Sequence, residues 1–180
     1  MNGRIRTFPP EVSQFLNERQ QIKKVERSNA AKTLRMFSKD LKAFGYFRKS
    51  TFFARERQFL AHFLHVHKFS FGPHFRIHAC IRVLNDSRSH MALLGISSGE
   101  CSGLALSYGP TLEEMRACSD LMIRYVTEVA EPWFEKQVPS SLLKLPSILP
   151  PEDRAGLEAA LEGRSSEEYV ERSRSLLGLA

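Results

Sequence analysis

A chain of 180 residues, 42% hydrophobic and 26% charged, can bury one substantial core and is too apolar for wholesale disorder. Its apolar runs, such as residues 91–96, are far too short to cross a bilayer, and Arg4 and Arg6 lead into Phe8-Pro9-Pro10 without the apolar stretch of a signal peptide. The net charge of +6 is unevenly held: residues 1–90 carry 18 Lys/Arg against 6 Asp/Glu, and residues 91–180 carry 8 against 14. Such asymmetry calls for an acidic partner surface, or for an acidic tail folded over the basic half.

Residues 1–10 read as a basic lead-in. Residues 11–44 carry a helical pattern in two pieces, with Ser28 or Asn29 as N-cap of the second. Leu34, Phe37, Leu41 and Phe44 recur at spacings of three and four, which is one stripe of a helix. Gly45 then supplies the left-handed residue at which helices stop. Strand chemistry follows. Residues 52–57 are short and aromatic, and residues 59–69 and 74–84 flank Ser70-Phe71-Gly72-Pro73, a connection of hairpin length. In the second arm Phe75, Ile77, Ala79, Ile81 and Val83 alternate with Arg76, His78, Cys80 and Arg82. A turn over residues 85–89 precedes a further strand over 91–96, and the Gly- and Ser-rich residues 95–103 form a loop.

Thr111 with Glu114 is a capping box that opens a long helix. Its inner stripe is Leu112, Met115, Cys118, Met122, Val126, Val129 and Trp133, and Pro132 ends or kinks it. After a connector over residues 139–151, short helices are expected over 152–161 and 165–177, the second opened by Ser165 with Glu168 as a capping box. Strands bracketed by helices, without βαβ alternation, predict an α+β fold. The expected architecture is a leading helix, an antiparallel sheet of three to five strands, a long helix packed on one sheet face, and a short helical tail. Three segments are expected: a helical lead-in over residues 1–27, an α+β core domain over 28–138, and a connector with its tail over 139–180. Residues 150–180 carry 7 acids and 4 bases. Two short helices are marginal alone, so the tail must dock on the body or on a second copy of the chain.

All six histidines fall within 29 consecutive positions. If the hairpin pairs Phe69 with His74, His65 lies opposite His78 and His67 opposite Arg76, on one face with Cys80 and Arg82. The other face would carry Leu60, Leu64, Val66, Ile77, Ala79 and Ile81, ready for helices. His65, His67, Arg76, His78 and Arg82 then form a face for a partner or an anion, since Arg and His donate together. His65, His67 and His78 have the residue type of a zinc site, but Arg76 and Arg82 would set fixed cations beside the ion and no carboxylate joins them. The expectation is therefore no metal and no cofactor.

Gly95-Ile96-Ser97-Ser98-Gly99 matches the G-x-S-x-G nucleophile elbow, yet the last histidine, His90, precedes Ser97, and residues 99–103 make a poor helix start. The glycines are read as turn residues, and no catalytic residue is assigned. Three cysteines, Cys80, Cys101 and Cys118, leave one unpaired and have no C-x-x-C spacing. That fits a reducing cytoplasm better than a secreted scaffold. Lys32, Arg35, Lys39 and Lys42 form a basic stripe opposite Leu34, Phe37 and Leu41, suited to an acidic protein or to phosphates. Phe44, Tyr46, Phe47, Phe52 and Phe53 read as an aromatic core at a helix–strand junction.

The order of these features resembles a bacterial family known only as domain of unknown function four-three-zero-four. The resemblance rests on Leu41-Lys42-Ala43-Phe44-Gly45-Tyr46, Phe52-Phe53-Ala54-Arg55, the His67-Lys68 strand, Phe75-Arg76-Ile77 and the closing Glu131-Pro132-Trp133-Phe134, and it covers residues 30–138. His67 stands where that family is expected to carry Gln. The resemblance implies an α+β fold with no established activity and no known catalytic residues. Small bacterial proteins of this look include immunity proteins, which neutralise a toxin domain by plugging its active site. The expected function is a non-catalytic cytoplasmic binding protein with an acidic protein partner, a toxin domain being the most concrete case, and with no membrane contact. The alternatives are a nucleic-acid-associated protein using the basic half and a metal-dependent enzyme at the histidine cluster.

Overall fold

A computed structural model describes residues 10–101 and 104–179. Residues 1–9 of the expected lead-in and residues 102–103 of the expected loop lie outside the described residues. Helix α1 (Pro10–Leu41) is continuous rather than in two pieces. Residues 11–41 contain no Gly or Pro to break it. Ser28 and Asn29 sit inside it, and the Asn29 carbonyl accepts a bond from the Thr33 hydroxyl at 3.0 Å instead of starting a new helix. A 3-10 turn (Lys42–Phe44) and Gly45, at φ 77°, end the helix.

The next five elements are strands: β1 (Phe47–Lys49), β2 (Phe52–Arg57), β3 (Leu60–Lys68), β4 (Phe75–Val83) and β5 (Leu94–Ser97). They form one antiparallel sheet in the order β1-β2-β3-β4-β5. The hairpin register is the expected one, with His65 opposite His78, His67 opposite Arg76, and the Phe69 N–H bonded to the His74 carbonyl at 3.1 Å. Two strands depart from the sequence reading. β1 was not expected, because three residues are too few to display alternation. β5 starts at Leu94 rather than at residue 91. The Arg82 guanidinium binds the Arg88 and His90 carbonyls at 2.8 and 2.9 Å and so holds residues 88–90 in a loop. Gly95 lets β5 close on β4, since a Cβ there would lie 1.8 Å from the Ala79 carbonyl oxygen.

The inner sheet face carries Phe53, Leu64, Val66, Ile77 and Ile81 into the main core, where Phe37 and Leu41 of α1 meet them. Helix α2 (Leu112–Tyr125) adds Met122 and Tyr125 and opens with the expected capping box: Glu114 N–H to Thr111 Oγ1 at 3.2 Å, Thr111 N–H to Glu114 Oε2 at 3.0 Å. Leu112 is outside the core and exposed, being the first residue of the helix rather than part of its stripe. Pro132 does not end the helix. A π-helical turn (Val126–Ala130) ends two residues before it, and Pro132 is the second residue of α3 (Glu131–Lys136), which continues the helix. The wider turn absorbs the hydrogen bond that proline cannot donate.

After α4 (Pro139–Leu142), α5 (Pro151–Leu161) and α6 (Glu167–Leu177) dock on the body. Leu157 enters the main core, while Leu177 and Val170 pack on Ala54, Ala61, Phe63 and Cys80 of the outer sheet face. The Asn85 side chain holds both helices, donating to the Gly156 carbonyl at 3.0 Å and accepting from the Ser166 N–H at 2.8 Å. The second expected capping box does not form. Ser166 is the N-cap, without a side-chain bond, and Glu168 pairs with Arg172. No described helix is long and apolar enough to cross a membrane.

Candidate functional site

Helix α6 covers only part of the outer sheet face. Along its edge runs the row Lys49–Phe52–His65–His78–Ser97, each residue opposite the next across all five strands, with Lys49 and Phe52 touching the helix and His65, His78 and Ser97 beyond it. Beside it stands the pair His67–Arg76. The sheet register thus brings His65, His67, Arg76 and His78 together on one shelf, as the alternation of β4 requires. The His65 and His78 rings stack with centroids 6.1 Å apart, His65 also stacks on Phe52 at 4.7 Å, and Arg76 lies 5.1 Å over the Phe69 ring.

Arg82 does not belong to this shelf. It lies on the same sheet face but under α6, with 3% of its surface exposed. Its guanidinium donates to Ser173 Oγ at 2.9 Å, binds the two carbonyls that shape the loop before β5, and pairs with Asp86 at 3.2 Å. Alternation assigns a residue to a face; it does not say which half of that face a distant helix will cover.

Burial pushes the pKa of His65 below its ordinary value, and the neighbouring His78 and His67 push it the same way. His78 is lowered first by burial, then by Arg76 and His67, with Glu100 opposing. Both imidazoles are therefore neutral at pH 7, where each offers one donor and one acceptor. Arg76 is the fixed cation of the shelf. Its rim with β5 is a hollow of ≈ 370 Å³ lined by Arg76, His78, Ser97 and Glu100 among others. No three His, Cys, Asp or Glu side chains among the described residues converge as a metal-binding set.

Ser97 stands opposite His78, but its hydroxyl caps the 3-10 turn Ser98–Glu100 by accepting the Gly99 N–H at 3.2 Å. Ser98 is buried and its hydroxyl accepts the Ile77 N–H at 3.0 Å. These serines hold the end of β5. A nucleophile elbow would instead lead into a full helix and bond its serine to a base. Cys80 and Cys118 are buried and their thiols are pushed up to about 12 by burial, which removes thiolate reactivity at neutral pH.

Lys32, Arg35, Lys39 and Lys42 project from the side of α1 and its terminal turn away from the core, all exposed. Among the described residues none of the four joins an ion pair. The strand missed by the sequence reading extends this surface. Arg48 of β1 turns toward α1, donating to the Leu34 carbonyl at 3.2 Å, and lies close enough to Arg35 for that charge to lower its pKa further after burial. Lys49, one residue on, turns to the outer face and donates to the Ser175 carbonyl. Nothing in the composition separates these two from other surface cations; only the strand places them.

A second missed feature lies on the inner face, where a cavity of ≈ 520 Å³ opens between the β2–β3 turn and α3, lined by Arg55, Arg57, His62, Glu131, Phe134 and Glu135 among others. His62 stacks on Phe134 at 4.6 Å, neither ring nitrogen has a partner, and burial, with Arg55 and Arg57, lowers its pKa to about 4. Glu131 is held by Arg55 and by the Tyr46 hydroxyl, which donates to it at 2.7 Å.

Comparison with known proteins finds no match to a family model, to a curated protein or to a solved structure.

Proposed function

We propose that this chain is a non-catalytic binding protein that recognises an acidic protein surface through the basic side of α1, with neutralisation of a bacterial toxin domain as its most concrete form. One observation carries the reading. The uneven charge of the chain allows two fates for the basic half, coverage by its own acidic tail or contact with something else. The tail does not cover the stripe: three of its seven acids pair elsewhere, Asp153 with Arg88, Glu162 with Arg164 and Glu168 with Arg172, and no acid among the described residues pairs with Lys32, Arg35, Lys39 or Lys42. Lys32, Arg35, Lys39 and Lys42 stay uncompensated on a rigid helix. Like charges held together repel unless a partner neutralises them. The adjoining shelf adds hydrogen-bonding side chains: the His65 and His78 rings, whose pKa burial lowers, beside His67 and the Arg76 cation.

The test pairs charge reversal with two probes. The product of the adjacent reading frame is titrated into the wild-type chain and into a variant carrying Lys32→Glu, Arg35→Glu, Lys39→Glu and Lys42→Glu. Four reversed contacts are expected to weaken binding by roughly 100-fold, mainly through the association rate. Equal affinity for both proteins sinks the reading. A labelled DNA duplex serves as the other probe. Weak binding that collapses with added salt is expected from a few phosphate contacts. Tight, sequence-selective binding at physiological salt would replace the proposal with the nucleic-acid reading.

A further inference from the structure

The amino-terminal half of α1 has no core to face. From Val12 to Ser28 every described side chain is exposed except half-buried Glu26, and burial begins only at Asn29. At 1.5 Å per residue this overhang is about 25 Å long. It carries Val12, Phe15, Leu16, Ile22 and Val25, 39–59% exposed. Phe15 and Ile22 are seven residues apart and fall in line with Thr33 and Phe37, so the overhang continues the buried stripe of the same helix beyond the body. The body adds to this apolar surface. Phe71 at the tip of the β3–β4 hairpin is 91% exposed, and Ile22 and Val25 border a hollow of ≈ 400 Å³ walled by Pro73, Tyr108 and Pro110. A surface helix keeps its apolar stripe against a core, and a stripe that continues into water marks an interaction site.

We propose that this stripe is a homodimer interface, in which the overhangs of two copies of the chain pack antiparallel across a two-fold axis between Glu18 and Arg19. The charges bordering the stripe favour a second copy over a foreign surface. Glu18 and Glu26 share this side of the helix with Arg19 and Lys23, and Arg27 borders the stripe beside Leu16, whereas Lys24 lies opposite. A border of one sign would select an oppositely charged partner; a border of both signs lets one copy complement another. With the axis between residues 18 and 19, Phe15 of each copy comes level with Ile22 of the other, and Glu18 with Arg19. A two-fold axis makes each contact twice. The same register brings the other copy's Val12 level with Val25, beside the hollow at Pro73 and Pro110. Arg19 already lies over Phe15 at 5.7 Å, and Gln14 donates to Glu18 at 3.1 Å, so both charges are arranged along the stripe.

Sedimentation velocity on the full chain over a range of concentrations reads the result directly. A dimer is expected, and Ile22→Glu is expected to raise its dissociation constant by roughly 100-fold, since it places a charge against a buried aromatic at the centre. Far-UV circular dichroism of that variant should stay unchanged, because the overhang contributes nothing to the core. Glu18→Arg and Arg19→Glu should each weaken the dimer, and the two together in one chain should restore it. A chain that remains monomeric at every concentration overturns the proposal and leaves the stripe to a different protein. A dimer that survives Ile22→Glu overturns the assigned surface, and failure of the double exchange to restore association overturns the antiparallel register.

Discussion

Arg76 and Arg82 stand six residues apart on the same face of β4, and the sequence treats them alike. Their surroundings predict opposite behaviour. Arg82→Ala removes the donor to Ser173 Oγ and to the Arg88 and His90 carbonyls, and it removes one partner of Asp86. Breaking a buried ion pair by deleting one side costs about 3–5 kcal/mol. Asp86 retains Arg88, whose Nε donates to it at 3.1 Å, so the lower end applies, about 3 kcal/mol. For a chain of this length that is a fall in Tm of about 6–12 °C. Arg76→Ala, by contrast, removes an exposed side chain lying on Phe69 and should cost less than about 0.5 kcal/mol. Urea and thermal unfolding of the two variants, run against the wild-type chain, make the comparison. An Arg82→Ala variant within about 1 kcal/mol of wild type that has lost partner binding would refute the structural role and return Arg82 to the open face.

His62 makes stability depend on pH. Its folded pKa of about 4 lies below the ordinary 6.5, so the unfolded chain takes up the proton first as pH falls. Stability is then intact above the ordinary value and is lost as pH drops toward 4, by about 3 kcal/mol in all. Urea unfolding at neutral pH and near the folded pKa should show His62→Phe losing less on acidification than wild type, and an equal loss in both rules the mechanism out. Leu177→Ala should cost about 2–5 kcal/mol, as for other fully buried leucines, and should open the chain to protease near Gly163. Cleavage there at the same rate in the unmodified chain would mean that α6 is not held by Leu177.

Much of the fold was legible because two signals are local. The alternation from Phe75 to Val83 and the four-residue connection before it determine a register in which His65 meets His78, and the capping box at Thr111 places the start of α2. The errors share a different cause. Ser28 and Asn29 have the side chains of an N-cap, but the backbone ladder of α1 runs past them, and a cap matters only where the ladder ends. Of the two expectations at Pro132, an end or a kink, the end fails because a π turn lets the helix run on. β1 is invisible because its three residues are strand only by virtue of pairing with β2. At the candidate site the sequence correctly grouped His65, His67, Arg76 and His78, and wrongly added Arg82, whose burial depends on Ser173, 91 residues away. Non-local coverage of this kind leaves no periodic trace.

The short edge strand ties the two candidate surfaces together. Successive side chains of a strand point to opposite faces, so Arg48 and Lys49 send one cation toward α1 and one toward the outer face. The basic surface thereby runs from the exposed side of α1 around the sheet edge to the Lys49–Phe52–His65–His78–Ser97 row. Charged residues on a three-residue edge also discourage a foreign strand from extending the sheet. Recognition by backbone pairing is therefore poorly served at β1, whereas recognition by side-chain charge is served on both sides of it. That is the arrangement expected of a protein whose partner is held by electrostatic complementarity rather than by strand addition.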